Sequence, residues 1–206
     1  ILDSGCGYGQ WSVALSSLNN EIIATDVDPL RIEFCNLLFE KLNIRNTKFQ
    51  VKSMTCIDEQ LDGSFDAIFS YAAVPLTDFK KTLEIFYSLL KENGKLYFSS
   101  YDLGWMLYNI ENDHGKSRNY NSKDSAIKCI ENTVDYFHSG DFHQESFYGM
   151  YIPQKIMIKE LVKTGFTDIK IAGDGEIINK EGRGKYPFFI SNYNTYPAVY
   201  DVLCSK

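Results

Sequence analysis

A chain of 206 residues with 44% hydrophobic and 23% charged side chains can bury a sizeable core as one domain; its composition is neither disordered nor membrane-spanning. Its formal net charge of −6, from 21 basic and 27 acidic side chains, argues against a nucleic-acid backbone as the main partner. Five cysteines, an odd number without a Cys-x-x-Cys pair, suit a reducing cytoplasm, and no apolar run is long enough for a membrane span.

The first nine residues, Ile1-Leu2-Asp3-Ser4-Gly5-Cys6-Gly7-Tyr8-Gly9, organise the rest of the chain. Ile1 and Leu2 finish a buried strand, the glycines make a tight turn, and Trp11, Leu15 and Leu18 recur at helical spacing. Because the chain starts inside this strand, it reads as an N-terminally truncated domain. Glycines let backbone approach a ligand closely, and the N–H groups of a new helix face it, so a small cofactor is expected here. The dinucleotide fingerprint wants a third glycine where Gln10 stands, which disfavours a nucleotide-dependent oxidoreductase.

Glu21-Ile22-Ile23-Ala24-Thr25-Asp26 reads as the second strand, ending in an acid about 20 residues past the glycines. In a doubly wound sheet it lies beside the first, so the Asp26 carboxylate reaches the same ligand and can accept from both ribose hydroxyls. The alternative role, capping the helix that starts at Pro29, suits Asp28 better. That helix, over residues 29–42, is expected to bury Leu30, Phe34, Leu37, Leu38 and Leu42. A third strand over 47–52 enters the polar turn Ser53-Met54-Thr55. A fourth, Phe65-Asp66-Ala67-Ile68-Phe69-Ser70, ends at the centre of the sheet's ligand edge.

The next helix carries Leu83, Phe86, Tyr87 and Leu90 and is expected to stop at Asn93-Gly94 by a left-handed cap, before a fifth strand over 95–100. Residues 101–151 break the alternation, with Ile127, Ile130, Val134 and Phe137 marking the face of one amphipathic helix. A helix from Pro153 carries Ile158, Leu161 and Val162 and ends at Gly165. Strands over 167–172 and 198–204 close the chain. The whole reads as a single α/β domain with a doubly wound, mostly parallel sheet, without internal repeat or linker.

The order Asp3-x-Gly5-x-Gly7-x-Gly9, Asp26, Phe65-Asp66-Ala67-Ile68-Phe69-Ser70 and Leu89-Leu90-Lys91-Glu92-Asn93-Gly94-Lys95-Leu96 resembles the class I S-adenosylmethionine-dependent methyltransferases. The pattern covers nearly all of residues 1–100, and Gly165-Phe166 with the closing strand extends it. The resemblance implies a Rossmann-like seven-stranded sheet whose last strand is antiparallel. It also implies S-adenosyl-L-methionine held by Asp3, Gly5, Cys6, Gly7, Gly9, Asp26, Val27, Ser53, Met54 and Ser70. Asp3 would help orient the methionine ammonium. Ser53 stands where the family usually has an acid for the adenine amine. The Asn/Asp-Pro-Pro-aromatic signature of the amino-methylating branch is absent at Ser70-Tyr71-Ala72-Ala73-Val74, which makes an exocyclic base nitrogen a poor acceptor.

The implied activity is methyl transfer to a small molecule or glycan, at oxygen; a non-catalytic S-adenosylmethionine-binding or partner domain is the alternative from another class. An oxygen acceptor calls for a base, and His114 and His143 in the insert are the candidates. His138, Asp141 and His143 lack the spacing that fixes a metal site, so none is expected. Tyr71, Tyr101 and Trp105 are the candidate substrate contacts. Residues 101–151 form a cap insertion and 173–196 a ligand-edge loop, expected to meet as one lid. Gly182 and Gly184 would mark the loop's mobile tip, beside Lys180, Arg183 and Lys185 as cations for an anionic acceptor.

Overall fold

The computed structural model describes residues 1–56, 61–115, 117, 120–142, 148–177 and 186–206. Strands β1 (Leu2–Ser4), β2 (Ile22–Asp26), β3 (Thr47–Val51), β4 (Phe65–Ser70), β5 (Leu90–Tyr101) and β6 (Thr167–Gly173) are followed by the small hairpin β7 (Asn192–Tyr193) and β8 (Tyr196–Pro197) and by β9 (Val199–Ser205). The main sheet has seven strands in the order β3-β2-β1-β4-β5-β9-β6. β1 to β5 run parallel to one another, whereas β9 runs antiparallel to both β5 and β6. The helices are α1 (Gln10–Ser16), α2 (Pro29–Lys41), α3 (Phe79–Leu89), α4 (Leu103–Asn112), α5 (Ser122–Ser139) and α6 (Gln154–Thr164). This is the expected Rossmann-like sheet with an antiparallel last strand, in which every parallel strand delivers its carboxyl end to one edge.

One face of the sheet carries the main core, where Leu2, Ile68, Leu96 and Phe98 meet Leu83 and Phe86 of α3 and Met157 and Leu161 of α6. A smaller cluster of Cys6, Ile22, Ala24 and Ile32 joins α2 to the opposite face. A third, formed by Met106, Ala126 and Cys129, is the private core of the cap.

Three helices present a different face from the one their apolar spacing predicts. In α2 the buried residues are Ile32, Cys35 and Phe39, while Leu30, Phe34, Leu37 and Leu42 are exposed. Apolar residues surround this helix, so the sequence holds two competing stripes and the sheet selects the one containing Cys35. In α5 the buried stripe is Ala126, Cys129, Thr133 and Tyr136, one residue away from the expected Ile127, Val134 and Phe137, which are exposed. In α6, Met157 joins Leu161 in the core and Ile158 and Val162 face outward. α1 ends at Ser16, so Leu18 lies beyond it and is exposed.

The chain leaves α3 directly into extended backbone at Leu90, so the helix does not reach Asn93-Gly94. The left-handed residue is Asn93, at φ 65°, inside an irregularity of β5 between the pairs Phe65↔Leu90 and Ala67↔Lys95. The insert holds two helices, α4 and α5, where one was expected. Asp102, whose Oδ1 accepts from Leu103 N at 2.6 Å, starts α4. α4 packs on the β7–β8 hairpin through Gly104, where a Cβ would collide with Pro197 O and lie 2.5 Å from Tyr196 O. Gly104→Ala must therefore push the helix and hairpin apart. We expect it to destabilise the fold by about 1–3 kcal/mol, read as a lower urea midpoint.

Candidate functional site

The turn after β1 is a left-handed loop, with φ of 78°, 57° and 79° at Gly5, Gly7 and Gly9. Gly5 is obligatory on two counts: its φ, and the 2.5 Å that would separate an added Cβ from the Ala73 Cβ. Gly7 differs, since its missing side chain would point into open space. Gly5 N and Cys6 N both donate to Thr25 O at the end of β2, at 2.8 and 2.9 Å. Gly7 N donates to Asp26 Oδ2 at 2.9 Å, and Asp28 N to Asp26 Oδ1 at 3.0 Å. Asp28 caps α2 by accepting from Leu30 N, which leaves Asp26 free of that duty. Each Asp26 oxygen keeps further lone pairs for a ligand's hydroxyls.

Residues missed by sequence reasoning flank this carboxylate. Arg31 lies 3.7 Å from Asp26 Oδ2 and over the Tyr8 ring, and Tyr8 meets Phe34 edge to face; the expected Val27, next after Asp26, is exposed. Cys6 and Cys35 are buried with raised thiol values, Cys35 pushed up to about 11 chiefly by burial, so they pack as neutral groups.

Asp3 lies beneath the loop, 1% exposed, and accepts from Ser12 Oγ at 2.5 Å. Burial pushes its carboxyl up to about 6, against the Ser12 hydrogen bond and with help from the Asp26 charge. Three adjacent strands, β2, β1 and β4, carry at or next to their last residue a buried hydroxyl without a protein partner: Thr25 Oγ1, Ser4 Oγ and Ser70 Oγ. Buried polar atoms normally find partners, so unpaired hydroxyls at one edge mark it as built for a polar ligand. After β3, Ser53 Oγ pairs with Thr55 Oγ1 at 2.9 Å, and the buried Met54 lies against Gly5. Ser53 and Thr55 line a cleft of about 290 Å³ that Leu76 shares with the cap.

The ligand-edge loop is stapled down by two buried aspartates. Asp174 Oδ1 accepts from Tyr71 OH at 2.7 Å, and Oδ2 from Phe188 N and Phe189 N at 2.6 and 2.9 Å. Asp201 Oδ2 accepts from Tyr97 OH at 2.6 Å and Gly175 N at 2.7 Å, while burial pushes its carboxyl up to about 6. Trp11 packs on Phe69, Tyr71 and Phe188, so Tyr71, expected to touch substrate, spends its hydroxyl on the loop and its ring on α1.

Tyr101 and Trp105 come together in a cavity of about 560 Å³ between α4 and α5. Trp105 also meets Phe189, and Tyr108 meets Tyr193, whose hydroxyl donates to Glu111 Oε2, so the cap and the ligand-edge loop are in contact. His114 is exposed and rests against Trp105 and Tyr108 rather than lining the cavity. His143, and Lys180, Gly182, Arg183, Gly184 and Lys185 at the loop tip, lie outside the described residues. Among the described residues no cluster of His, Cys, Asp and Glu has the grouping of a metal site.

A left-handed glycine loop, an acid at the next strand's end and unpaired hydroxyls between them fit an adenosyl cofactor. The family profile for a methyltransferase domain matches residues 1–159. The chain belongs to the class I S-adenosylmethionine-dependent methyltransferases. S-adenosylmethionine is the cofactor that goes with this methyltransferase domain. A search of curated proteins by sequence finds no match.

Among solved structures, the methyltransferase is similar to the CurJ carbon methyltransferase, with TM-score 0.64 and 16% identity, covering 99% of this chain and 47% of that one. It is similar to a methyltransferase from Methanosarcina mazei, with TM-score 0.62 and 14% identity, covering 100% and 91%. A third is phosphoethanolamine N-methyltransferase 2 of Haemonchus contortus in complex with S-adenosyl-L-methionine, with TM-score 0.65 and 14% identity, covering 100% and 48%. The methyltransferase thus spans about half the length of two of these chains. At such identities the likeness is one of fold.

The buried carboxyls predict a pH dependence. An acid raised from 3.8 to about 6 favours the fold below its unfolded value, and that contribution is lost as pH rises through about 6. For Asp3 the displacement corresponds to about 3 kcal/mol. Asp3→Asn should therefore raise the unfolding free energy at pH 8 by about 2–3 kcal/mol and change it little at pH 4, measured by chemical denaturation of the cofactor-free protein.

Proposed function

We infer that this methyltransferase transfers a methyl group to a small-molecule or glycan acceptor, at oxygen, beneath the cap formed by α4 and α5. The observation that carries the reading is the Asp26 carboxylate, which holds Gly7 N while keeping lone pairs for the ribose hydroxyls. The bound cofactor supplies a sulfonium-activated methyl group. The protein's part is positioning: Gly5 and Met54 set the floor, Asp26 fixes the ribose end, Ser53 receives the adenine, and Asp3 faces the ammonium. Holding donor and acceptor in line and excluding water is worth roughly 7–11 kcal/mol without a covalent intermediate. The absence of an Asn/Asp-Pro-Pro-aromatic run at Ser70-Tyr71-Ala72-Ala73 supports an acceptor other than an exocyclic base nitrogen. The five cysteines, all free thiols, support a cytoplasmic setting.

Calorimetric titration with S-adenosylmethionine and with NAD tests the donor. Tight binding of the first alone is expected, and binding of NAD alone would overturn the reading. Asp26→Ala removes hydrogen bonds to a charged acceptor worth about 1.5–3 kcal/mol and should weaken S-adenosylmethionine tenfold or more with the fold intact.

Oxygen transfer assigns proton removal to His114 or His143. His114→Ala is then expected to lower kcat tenfold or more with KM little changed. An unchanged kcat would leave His114 as packing for Trp105.

A further inference from the structure

We propose that the cavity of about 560 Å³ between α4 and α5 is the acceptor pocket, and that it takes a ring-bearing small molecule with a hydroxyl or amine and rejects carboxylates. This rests on the methyltransferase reading for its role and on the cavity's own chemistry for its ligand.

Two cavity walls belong to the sheet's ligand edge, because Tyr101 is the last residue of β5 and Leu76 closes the short 3-10 turn that follows the end of β4. Leu76 also lines the cleft that holds Ser53 and Thr55, so the cavity and that cleft adjoin at this residue. The volume falls within the range of roughly 300–1,000 Å³ typical of small-molecule sites.

Rings of Tyr101, Trp105 and Tyr148 form much of the wall and suit stacking on a flat or alicyclic body. Ser122, the first residue of α5, is fully buried, lines the cavity, and its Oγ has no protein partner. A buried hydroxyl in a cavity wall discriminates strongly for a ligand group that pairs with it. Among the described residues that line the cavity, the charged one is Asp124, at the exposed rim. Its Oδ2 accepts from Asn121 Nδ2 at 2.6 Å, which leaves Oδ1 for an incoming donor. A carboxylate at the entrance attracts an ammonium, accepts from a hydroxyl and repels another carboxylate.

The test uses three probes of one skeleton: 2-naphthol, 2-naphthylmethylamine and 2-naphthoate. Each is titrated into the whole chain without cofactor and followed by amide shifts in 1H–15N NMR spectra. Shifts centred on α4 and α5 are expected, with 2-naphthoate at least tenfold weaker than the other two. Asp124→Asn should narrow that gap, and Ser122→Ala should weaken 2-naphthol about fivefold or more. Ala126→Leu, which fills the cavity, should abolish binding of all three probes and leave the affinity for S-adenosylhomocysteine unchanged. Equal binding of 2-naphthoate, shifts centred elsewhere, or full probe affinity in Ala126→Leu would overturn the pocket.

With S-adenosylmethionine present, nuclear Overhauser contacts between its methyl protons and bound 2-naphthol are expected. A ternary complex without them would remove the acceptor role. Because probe binding is read without cofactor, failure of S-adenosylmethionine to bind would overturn the methyltransferase reading and leave the cavity's ligand chemistry standing.

Discussion

The ligand edge depends on one arrangement: the Asp26 carboxylate beneath a glycine loop in left-handed conformation. Three positive φ values place backbone donors on the inside of the turn, and each needs an acceptor. Thr25 O takes two of them and Asp26 takes the donor from Gly7. The same loop fixes what faces it. Gly5 presses on Ala73, which sets the path of residues 71–76, where Pro75 O accepts from Met150 N. Two residues on, Ile152 N donates to Tyr101 O at the end of β5. A contiguous series of backbone contacts thus runs from the donor loop to the base of the cap. A side chain at Gly5 would disturb both.

Buried aspartates supply the second layer of order, and they do so at a cost in stability. Asp3 ties β1 to α1, Asp174 ties the ligand-edge loop to Tyr71, and Asp201 ties the same loop to Tyr97. A carboxyl taken out of water contributes little net stability even when it is well hydrogen-bonded. Its benefit is directional, because removing either partner strands a buried polar group. Three such groups at one edge hold segments far apart in sequence in fixed positions around a single site. The raised values at Asp3 and Asp201 record the cost of that placement.

How far the sequence reveals this arrangement depends on the kind of interaction involved. The parallel strands are legible because β-rich runs end at Asp26 and Ser70, and the glycine spacing marks the loop between them. The capping role of Asp28 and the stop at Gly165 are legible because each depends on one residue's local chemistry. Helix faces are not. In α2, Leu30, Phe34 and Leu37 compete with Ile32, Cys35 and Phe39 for the sheet, and only packing decides between them. α4 is hidden because Trp105 and Tyr108 read as insert aromatics amid polar loops until the hairpin at Tyr196–Pro197 gives the helix a partner. The hydrogen bonds from Tyr71 to Asp174 and from Tyr97 to Asp201 join positions 103 and 104 apart, and no local pattern announces them.

The two halves of the site are therefore built from different materials. The donor side is backbone: N–H groups, carbonyls, glycines and one carboxylate, which many sequences can supply. That is why chains of 14–16% identity share this fold. The proposed acceptor side is made of side chains from α4 and α5, segments whose packing is private to the cap. A relative's acceptor does not transfer across such a boundary, and the neighbours bear this out by their names alone, one a carbon methyltransferase and another a phosphoethanolamine N-methyltransferase. The fold fixes where the methyl group is presented. In the proposed pocket, the rings, the unpaired Ser122 hydroxyl and Asp124 around the cap cavity decide what meets it.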